Sequence, residues 1–530
     1  MTSTRTALTL QDMGWTAATA AELTDQFNGG EAGYREVKAP FTNSYLYALP
    51  LSSDHAVDEA VARARSSQLR WAATKITERI DVMLRFHDLL LRHREDVLDI
   101  IQFETGKARR DALEELLDVC VVTQYYARTA KRLLADRAHR GAIPVLTSVR
   151  EVHHPIGVVG VIAPWNYPLS LALSDAVPAM LAGNAVVVKP DVQTSLTAGW
   201  CRRLLREAGL PANVYQLVTG DGPTVGARLI DQVDHVMFTG SSATGRIVAA
   251  RCGERLISAT MELGGKNALI VRADAQVGRA VRIAERAVFA NSGQLCIAME
   301  RIYVDRKLFE PFVEQLRNRV AALKIGTRPG WGSDLGPLIN DTHLDRVSGQ
   351  VEQALAAGAT VVSGGRRRPE IGPLVYLPTL LTDVTVGMDL CGQETFGPVA
   401  SIYVTSDDDH AIQLANDTEY GLNASIVTAD VGRGKALARR LNSGSVNIND
   451  GYAAAWGSVA APLGGRGASG LGARHGIAGL LNYTESQTIA TQRIWGFSAP
   501  AGISDRRWAD LLARSVRIMR PLGHRSKGAS

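Results

Sequence analysis

Cysteine is scarce in this chain. Its 530 residues hold five, Cys120, Cys201, Cys252, Cys296 and Cys391, an odd number at wide spacings with no CxxC pair. That pattern excludes a disulfide framework and a zinc site, so no metal is expected. It fits a reduced, cytoplasmic compartment. Long apolar runs are missing too. The N-terminal stretch carries no continuous apolar segment of the kind a secretory leader needs. No run approaches the ~18 residues of a membrane span. Internal repeats and low-complexity tracts are absent. The body of the chain also lacks an excess of either charge. Lys and Arg number 58 and Asp and Glu 53, a net +5, and residues 501–530 alone hold seven cations against two acids. The first 500 residues therefore sum to zero, which argues against a nucleic-acid partner. What remains, 46% hydrophobic and 21% charged, is a globular composition and excludes a disordered, collagenous or coiled-coil chain. Glycine, at 50 residues, is plentiful and predicts tight turns or close backbone approaches.

Residues 1–35 read as a polar leader. From Asp54 to Leu134 the apolar period is helical, with Ala56, Val57, Ala60 and Val61 and again Ile80, Val82, Met83, Phe86 and Leu89 at helix spacing. Gly106 punctuates two of these helices. Gly141–Pro155 alternates as an extended arm. Strand and helix patterns then alternate: Ile156–Ala163, a helix Leu169–Ala182, Ala185–Lys189, a helix Leu196–Ala208, Val214–Val218 and His235–Phe238. This rhythm predicts an α/β fold with a parallel sheet covered on both faces. A second series runs from about Gln276 to Asn449. Tyr452–Gly476 is glycine-rich, and Thr484–Gln492 reads as a lone strand.

Five segments carry groups suited to chemistry. Ile156–Ala163 leads into Pro164-Trp-Asn-Tyr-Pro168 at the end of a buried strand, where parallel sheets bind ligands. Its prolines stiffen the loop around the Asn166 amide, a suitable donor to an oxyanion. A turn around a core tryptophan accounts for the same residues. Phe238-Thr-Gly-Ser-Ser-Ala-Thr-Gly245 reads as strand, turn and helix. Gly240 allows a phosphate to approach, and Ser241 with the first helical amides can hold it. The spacing is not G-x-G-x-x-G, so an ordinary helix cap explains it as well. Glu262-Leu-Gly-Gly-Lys-Asn267 sets bare backbone beside a carboxylate, with room for a water or a nucleotide ring next to a general base. The alternative is a turn bearing a surface Glu. Asn291-Ser-Gly-Gln-Leu-Cys296 places a candidate nucleophile in a turn after a helix. Most free cysteines are instead buried and inert, and the other four take that reading. Glu394-Thr-Phe-Gly-Pro398 offers a carboxylate to ribose hydroxyls and Phe396 to a flat ring, where a plain turn would also serve.

Together and in this order, these segments and Lys189-Pro resemble the NAD(P)-dependent aldehyde dehydrogenase superfamily from about Val37 to about Gln492. Within it, Val188-Lys-Pro-Asp, Gly240-Ser-Ser-Ala-Thr-Gly, Ile302-Tyr-Val and Tyr483-Thr-Glu-Ser-Gln-Thr-Ile-Ala-Thr are most similar to actinobacterial NADP-dependent succinate-semialdehyde dehydrogenases. The resemblance implies Cys296 as the nucleophile, Asn166 as oxyanion donor and Glu262 as the base that activates water. It implies a cofactor site of Trp165, Lys189, Gly240, Ser241, Gly245, Leu263, Glu394 and Phe396. Val192 stands where many members carry a glutamate on the ribose 2′-hydroxyl. Its lack of charge predicts that NADP is preferred, with NAD as the alternative. Many succinate-semialdehyde dehydrogenases hold the substrate carboxylate with two arginines, and here those positions are Ser174 and Ala290. A mainly apolar substrate tunnel of Tyr167, Leu171, Leu295, Ile297 and Trp456 is expected, although the same residues could be core.

The implied fold has a Rossmann-like cofactor domain (residues 1–140 and 156–275) and an α/β catalytic domain (276–475). A small β oligomerisation arm (141–155 and 483–495) pairs copies into a homodimer or homotetramer. Residues 496–530 form a basic tail, with Trp508, Leu511, Leu512, Val516 and Met519 at helical spacing. It reads either as a helix docked on protein or, over 504–520, as a contact with an anionic membrane surface. The implied reaction oxidises an aldehyde to its acid, with succinate semialdehyde as the expected substrate and less polar aldehydes as the alternative. A CoA-acylating enzyme, which usually lacks the base, and a non-catalytic homologue are the competing readings.

Overall fold

The computed structural model describes residues 12, 17–141, 147–493 and 498–519. Its described residues divide into two compact units, one within Met1–Leu133 and Pro155–Thr484, the other within Leu134–His154 and Glu485–Ser530.

In the larger unit the helical period becomes four helices, Asp54–Ala73, Ile76–Arg92, Arg94–Thr105 and Arg109–Leu133. Ser53 caps the first, accepting from the Ala56 amide, and Gly106 closes the third in the left-handed region at φ 75°. A six-stranded sheet follows. Its spatial order is Gly470–Leu471, Ser258–Glu262, His235–Thr239, Val158–Ile162, Ala185–Lys189, Tyr215–Leu217. All its pairings are parallel except that of the short Gly470–Leu471 strand. Strands Val158–Ile162, Ala185–Lys189 and His235–Thr239 are buried along their whole length, as strands covered on both faces must be. Val158–Ile162 lies between the strand that follows it in the chain and His235–Thr239. The strand order reverses there, and a crevice opens at the carboxyl ends of these strands.

The second sheet has seven strands, with Met299–Asp305 in the middle and Asn267–Val271 and then Asn423–Val427 beside it. Leu269, Val271, Ile302 and Val304 pack there against Phe289 and Phe312 of the covering helices. Asn267–Val271 falls inside the cofactor domain drawn from the sequence, yet it is a central strand of this second sheet. Gly470–Leu471 falls inside the catalytic domain and joins the first sheet. The chain changes sheets at Glu262–Asn267 and again near Gly470, so linear boundaries at 275 and 475 misassign both strands.

Two local expectations also change. The helix over Leu169–Ala182 is two short ones, Pro168–Leu173 and Ala176–Leu181. Pro178 has no amide to give the Ser174 carbonyl and its ring clashes with it, which breaks the helix at Ser174–Asp175. In the smaller unit the strand Thr484–Gln492 is not alone. It lies beside Thr147–Pro155, which pairs in turn with Arg137–Arg140. Thr147 Oγ1 donates to Gln492 Oε1 at 2.8 Å across the first pairing. The arm therefore begins at Arg137, before the boundary at 141, and residues 142–146 and 494–497 lie outside the described part. The tail forms a helix, Asp505–Met519, in which Trp508 is buried while Leu511 and Val516 are 54% and 64% exposed. Residues 520–530, with three of its cations, lie outside the described residues. No described helix is long and apolar enough to cross a membrane.

Candidate active site

The loop after Val158–Ile162 is held from below by a buried ion pair. Lys107 Nζ donates to the Glu115 carboxylate and, at 2.5 Å, to the backbone oxygen of Asn166. Glu115 Oε2 accepts from the Leu169 amide at 3.0 Å, which caps the short helix starting at Pro168. Removing either charge of such a pair costs ~3–5 kcal/mol because the other is left buried and unpaired. Asn166 Nδ2 donates to the Gln294 carbonyl at 3.1 Å, and Asn291 Nδ2 donates to the Asn166 oxygen at 3.1 Å. The Asn166 loop is thus tied to the segment leading into Cys296. One Asn166 amide hydrogen goes to Gln294 and a second remains to give.

The turn before Cys296 is left-handed at Asn291, Ser292 and Gly293, with φ of 49°, 55° and 72°. At Gly293 a Cβ would lie 1.9 Å from the Gly397 carbonyl oxygen, so only glycine fits. Beyond the turn, Asn267 Nδ2 donates to the Cys296 and Ala298 carbonyls, both at 2.7 Å. Asn423 Nδ2 donates to the Ile297 carbonyl at 2.9 Å. The paired glycines explain how Asn267 reaches so close: a Cβ on Gly265 would sit 2.8 Å from the Cys296 oxygen.

The Glu394 loop is built the same way. Glu300, paired with Lys266 at 2.6 Å, accepts from the Thr395 and Phe396 amides, each at 2.9 Å. These bonds hold Phe396 at φ 58°, a conformation that costs ~1–3 kcal/mol for a side chain of its size. Glu394 Oε1 accepts from the Gly265 amide at 2.8 Å, and a Cβ on Gly264 would lie 2.4 Å from Oε2. Phe396 meets Trp165 edge-on at 5.5 Å. His343 completes the cluster, 5.4 Å from Trp165 and bonded through Nε2 to the Phe396 carbonyl at 2.7 Å. Burial pushes His343 down to about 4. It is therefore neutral near pH 7, with Nε2 carrying the proton it donates.

Two cavities meet at these residues. The larger, about 460 Å³, is lined among others by Trp165, Asn166, Gly240, Ser241, Leu263, Cys296, Glu394 and Phe396. The smaller, about 40 Å³, is lined by Asn166, Tyr167, Leu171, Glu262, Leu295, Cys296, Ile297 and Trp456, together with Ser170, Thr239, Leu422, Leu463 and Arg474. Asn166, Thr239 and Cys296 line both. Lys189, Val192 and Gly245 line neither. Lys189 is buried and donates to the Gly220 carbonyl at 2.9 Å and the Pro190 carbonyl at 3.2 Å. Val192 opens a short 3₁₀ turn that Asp191 caps by accepting from Gln193 N. At Gly245 a Cβ would meet Leu263 at 2.4 Å, so this glycine shapes the cavity through Leu263.

Sequence reasoning missed Asn340, Thr342, His343 and Arg346, which line the larger cavity from the start of the helix Asp341–Ala356. Asn340 caps that helix by accepting from His343 N at 2.9 Å. The Asn before an apolar run at helical spacing marks the helix start, though nothing local marks it as site. Arg474, in a glycine-rich segment, carried no signal at all.

Burial pushes the Cys296 thiol up to about 12, helped by Glu394 and Glu262. It retains some accessibility, through the cavities. Burial likewise pushes Glu262 up to about 8, against the opposing pull of Arg474, and Glu394 up to about 7. At rest the thiol is protonated, and a carboxyl that titrates near neutrality lines the same cavity. A thiol, a base of that kind and an amide donor together suit acyl transfer. Among the described residues no group of three or more His, Cys, Asp or Glu is placed to hold a metal ion.

Known proteins share this arrangement of sheets. An aldehyde dehydrogenase from Brucella melitensis biovar abortus superposes with a TM-score of 0.84 at 31% identity, over 88% of this chain and 95% of that one. Betaine aldehyde dehydrogenase from Staphylococcus aureus, solved in complex with NAD+, gives 0.83 at 30% identity over 89% and 94%. A Mycobacterium ulcerans protein, named provisionally as an NADP(+) succinate-semialdehyde dehydrogenase, is 46% identical over 92% of this chain and 94% of its own. The aldehyde dehydrogenase family pattern itself matches residues 27–489, from ahead of the first described strand to within the last. With both sheets, the loops between them and the cysteine turn inside that match, the chain belongs to the aldehyde dehydrogenase family.

Proposed function

We propose that this aldehyde dehydrogenase converts succinate semialdehyde to succinate with NADP, through Cys296. The observation that carries the chemistry is the shared wall of the two cavities. Cys296 and Asn166 face both the larger, cofactor-sized space and the smaller one that contains Glu262. Glu262 takes the thiol proton as the sulfur attacks the aldehyde carbon. The oxygen that becomes negative is met by the Asn166 side-chain amide and the Cys296 backbone N–H. Bound nicotinamide supplies the hydride acceptor. Once Glu262 has released the thiol's proton to solvent, water adds to the carbon of the Cys296 thioester, its proton passes to Glu262, and the carbon–sulfur bond breaks to return the thiolate. An intact base favours hydrolysis over acylation of CoA.

The larger cavity fits a dinucleotide's reactive end. Its volume lies in the range of small-molecule sites. The missing Cβ of Gly264 sets the Glu394 carboxylate against bare backbone, as a ribose contact needs. Ser241 begins the 13-residue helix Ser242–Glu254, whose free amides suit a pyrophosphate. Trp165 and Phe396 would flank the ring system. The resemblance would put Lys189 and Val192 beside the adenosine ribose. The relative's name supports NADP, as does an uncharged Val192 that does not repel a 2′-phosphate. Val192→Glu is expected to lower the ratio of kcat/KM for NADP to that for NAD by tenfold or more. An unchanged ratio, or a wild-type enzyme tenfold better with NAD, contradicts the cofactor reading.

The substrate reading rests on the same relative, and one feature opposes it. Ser174 Oγ, in the position of an expected arginine, donates to Asp118 at 2.7 Å, and most of the small cavity's lining is apolar. The second reading is therefore a less polar aldehyde. Comparing kcat/KM for succinate semialdehyde with aliphatic and aromatic aldehydes decides it. Succinate semialdehyde is expected to lead, and a lead of tenfold or more by an uncharged aldehyde overturns it. Copies of the chain are read as pairing along the exposed strand Thr484–Gln492, which would otherwise leave an open edge.

A further inference from the structure

Arg474 enters the small cavity from a position the motifs do not reach. Gly470 pairs with Glu262 across the antiparallel edge of the first sheet, and four residues later the chain is clamped by two backbone bonds between Arg474 and Leu463. Arg474 is 6% exposed. Its Nη2 donates to Asp175, at the break between the two short helices, and its Nε has no protein partner. Glu262 Oε1 is likewise buried with no protein partner, and both side chains line the same ~40 Å³ space. That volume accommodates a water, which needs ~10–15 Å³ and polar partners on more than one side.

We propose that Arg474, anchored by Asp175, is a positioning residue for thioester hydrolysis: its Nε–H and Glu262 Oε1 hold the attacking water between them. The proposal rests on the reading of Glu262 as base and Cys296 as acyl carrier. Each atom has the partner it lacks. The N–H donates to the water oxygen, and the water donates one proton to the carboxylate that will take it. The electrostatics agree. Arg474 opposes the effect of burial on Glu262 more strongly than Asp175 reinforces it. The other charged or titratable groups facing this region are Asp118, held by Ser170 and Ser174, Cys296, Glu394 on the cofactor side, and Tyr126, Tyr167 and Tyr483, whose burial raises each phenol and keeps it neutral. His475, next in the chain, is pushed by burial to about 3 and adds no charge at neutral pH. A substrate carboxylate is a poor occupant of the space between Arg474 Nε and Glu262 Oε1, because it would meet the Glu262 carboxylate beside a guanidinium already paired with Asp175.

The test uses the full-length enzyme without cofactor and p-nitrophenyl acetate as probe. The burst of nitrophenolate reports acylation of Cys296, and the steady rate reports hydrolysis. Arg474→Lys is expected to retain the burst and the pH midpoint of hydrolysis and to lose about tenfold in steady rate, since the ammonium cannot reproduce the Nε–H. The double variant Asp175→Asn with Arg474→Met removes the pair without stranding either charge, and its midpoint is expected to rise, because the larger of two opposing influences on Glu262 is lost. Wild-type hydrolysis in Arg474→Lys, or an unmoved midpoint in a folded double variant, overturns the proposal. So does a selective rise in KM for succinate semialdehyde over uncharged aldehydes with hydrolysis intact, which would make Arg474 a substrate contact. Glu262→Gln separates the two levels. If it keeps the pH-dependent limb, the base assignment itself fails. If it loses the limb while the double variant keeps its midpoint, only the role of Arg474 fails.

Discussion

Cys296→Ala is expected to lower aldehyde-dependent NADPH formation by roughly 10⁴-fold or more, the scale on which an enzyme loses activity with its nucleophile. No neighbour can take over. Cys120, Cys201 and Cys252 are buried, and none of the other four lines either cavity. Collapse of the site would not be the cause. The carbonyl of residue 296 accepts from Asn267 and that of Ile297 from Asn423, so the turn is held by backbone acceptors that alanine keeps. Binding of NADP, followed by quenching of tryptophan fluorescence, should stay within about twofold. Turnover within tenfold of wild type would remove Cys296 from the mechanism.

Glu262→Gln carries the second large effect. A positioned general base contributes ~10²–10⁴-fold, and here it serves both the thiol and the water, so a loss toward the upper end is expected. The pH dependence gives a sharper signature. Glu262 accepts a proton only when ionised, and burial places its titration at about 8. Wild-type kcat should therefore rise about tenfold per pH unit from 6 to 7, bend near 8 and level above it. The amide has no ionisation, so the variant should lose that limb. A variant that keeps both the limb and its midpoint assigns the base elsewhere.

Much of this site could be read from the residues. The alternation of short buried strands with helices predicted a parallel sheet, and strand order then put Pro164–Pro168 and Gly240–Ser241 at the crevice. The substrate-side residues Tyr167, Leu171, Leu295, Ile297 and Trp456 all line the small cavity. What escaped the sequence depends on contacts between distant segments. His343 and Arg346 reach the larger cavity because a helix start is delivered there from outside the recognised motifs. Arg474 is a lone cation in a glycine-rich run, and only the pairing of Gly470 with Glu262 brings it to the base. Lys189 was expected to contact a ribose; its ammonium donates to two carbonyls, which leaves one N–H to give. Pro178 was visible and its consequence was not: the break it causes places Asp175 where it can anchor Arg474. The basic tail was legible as a helix, but on its apolar face Trp508 is buried while Leu511 and Val516 are exposed. Local periodicity cannot say what a helix packs against.

The central claim is that the acyl group passes through Cys296 and waits there for Glu262. Intact-protein and peptide mass spectrometry on Glu262→Gln, quenched in acid after mixing with aldehyde and NADP, tests it most directly. The predicted result is a mass increase equal to the acyl group less the thiol hydrogen it replaces, located on the peptide containing Cys296 and absent from the Cys296→Ala protein. An adduct on another residue, or oxidation of the aldehyde by Cys296→Ala at the wild-type rate, would contradict it.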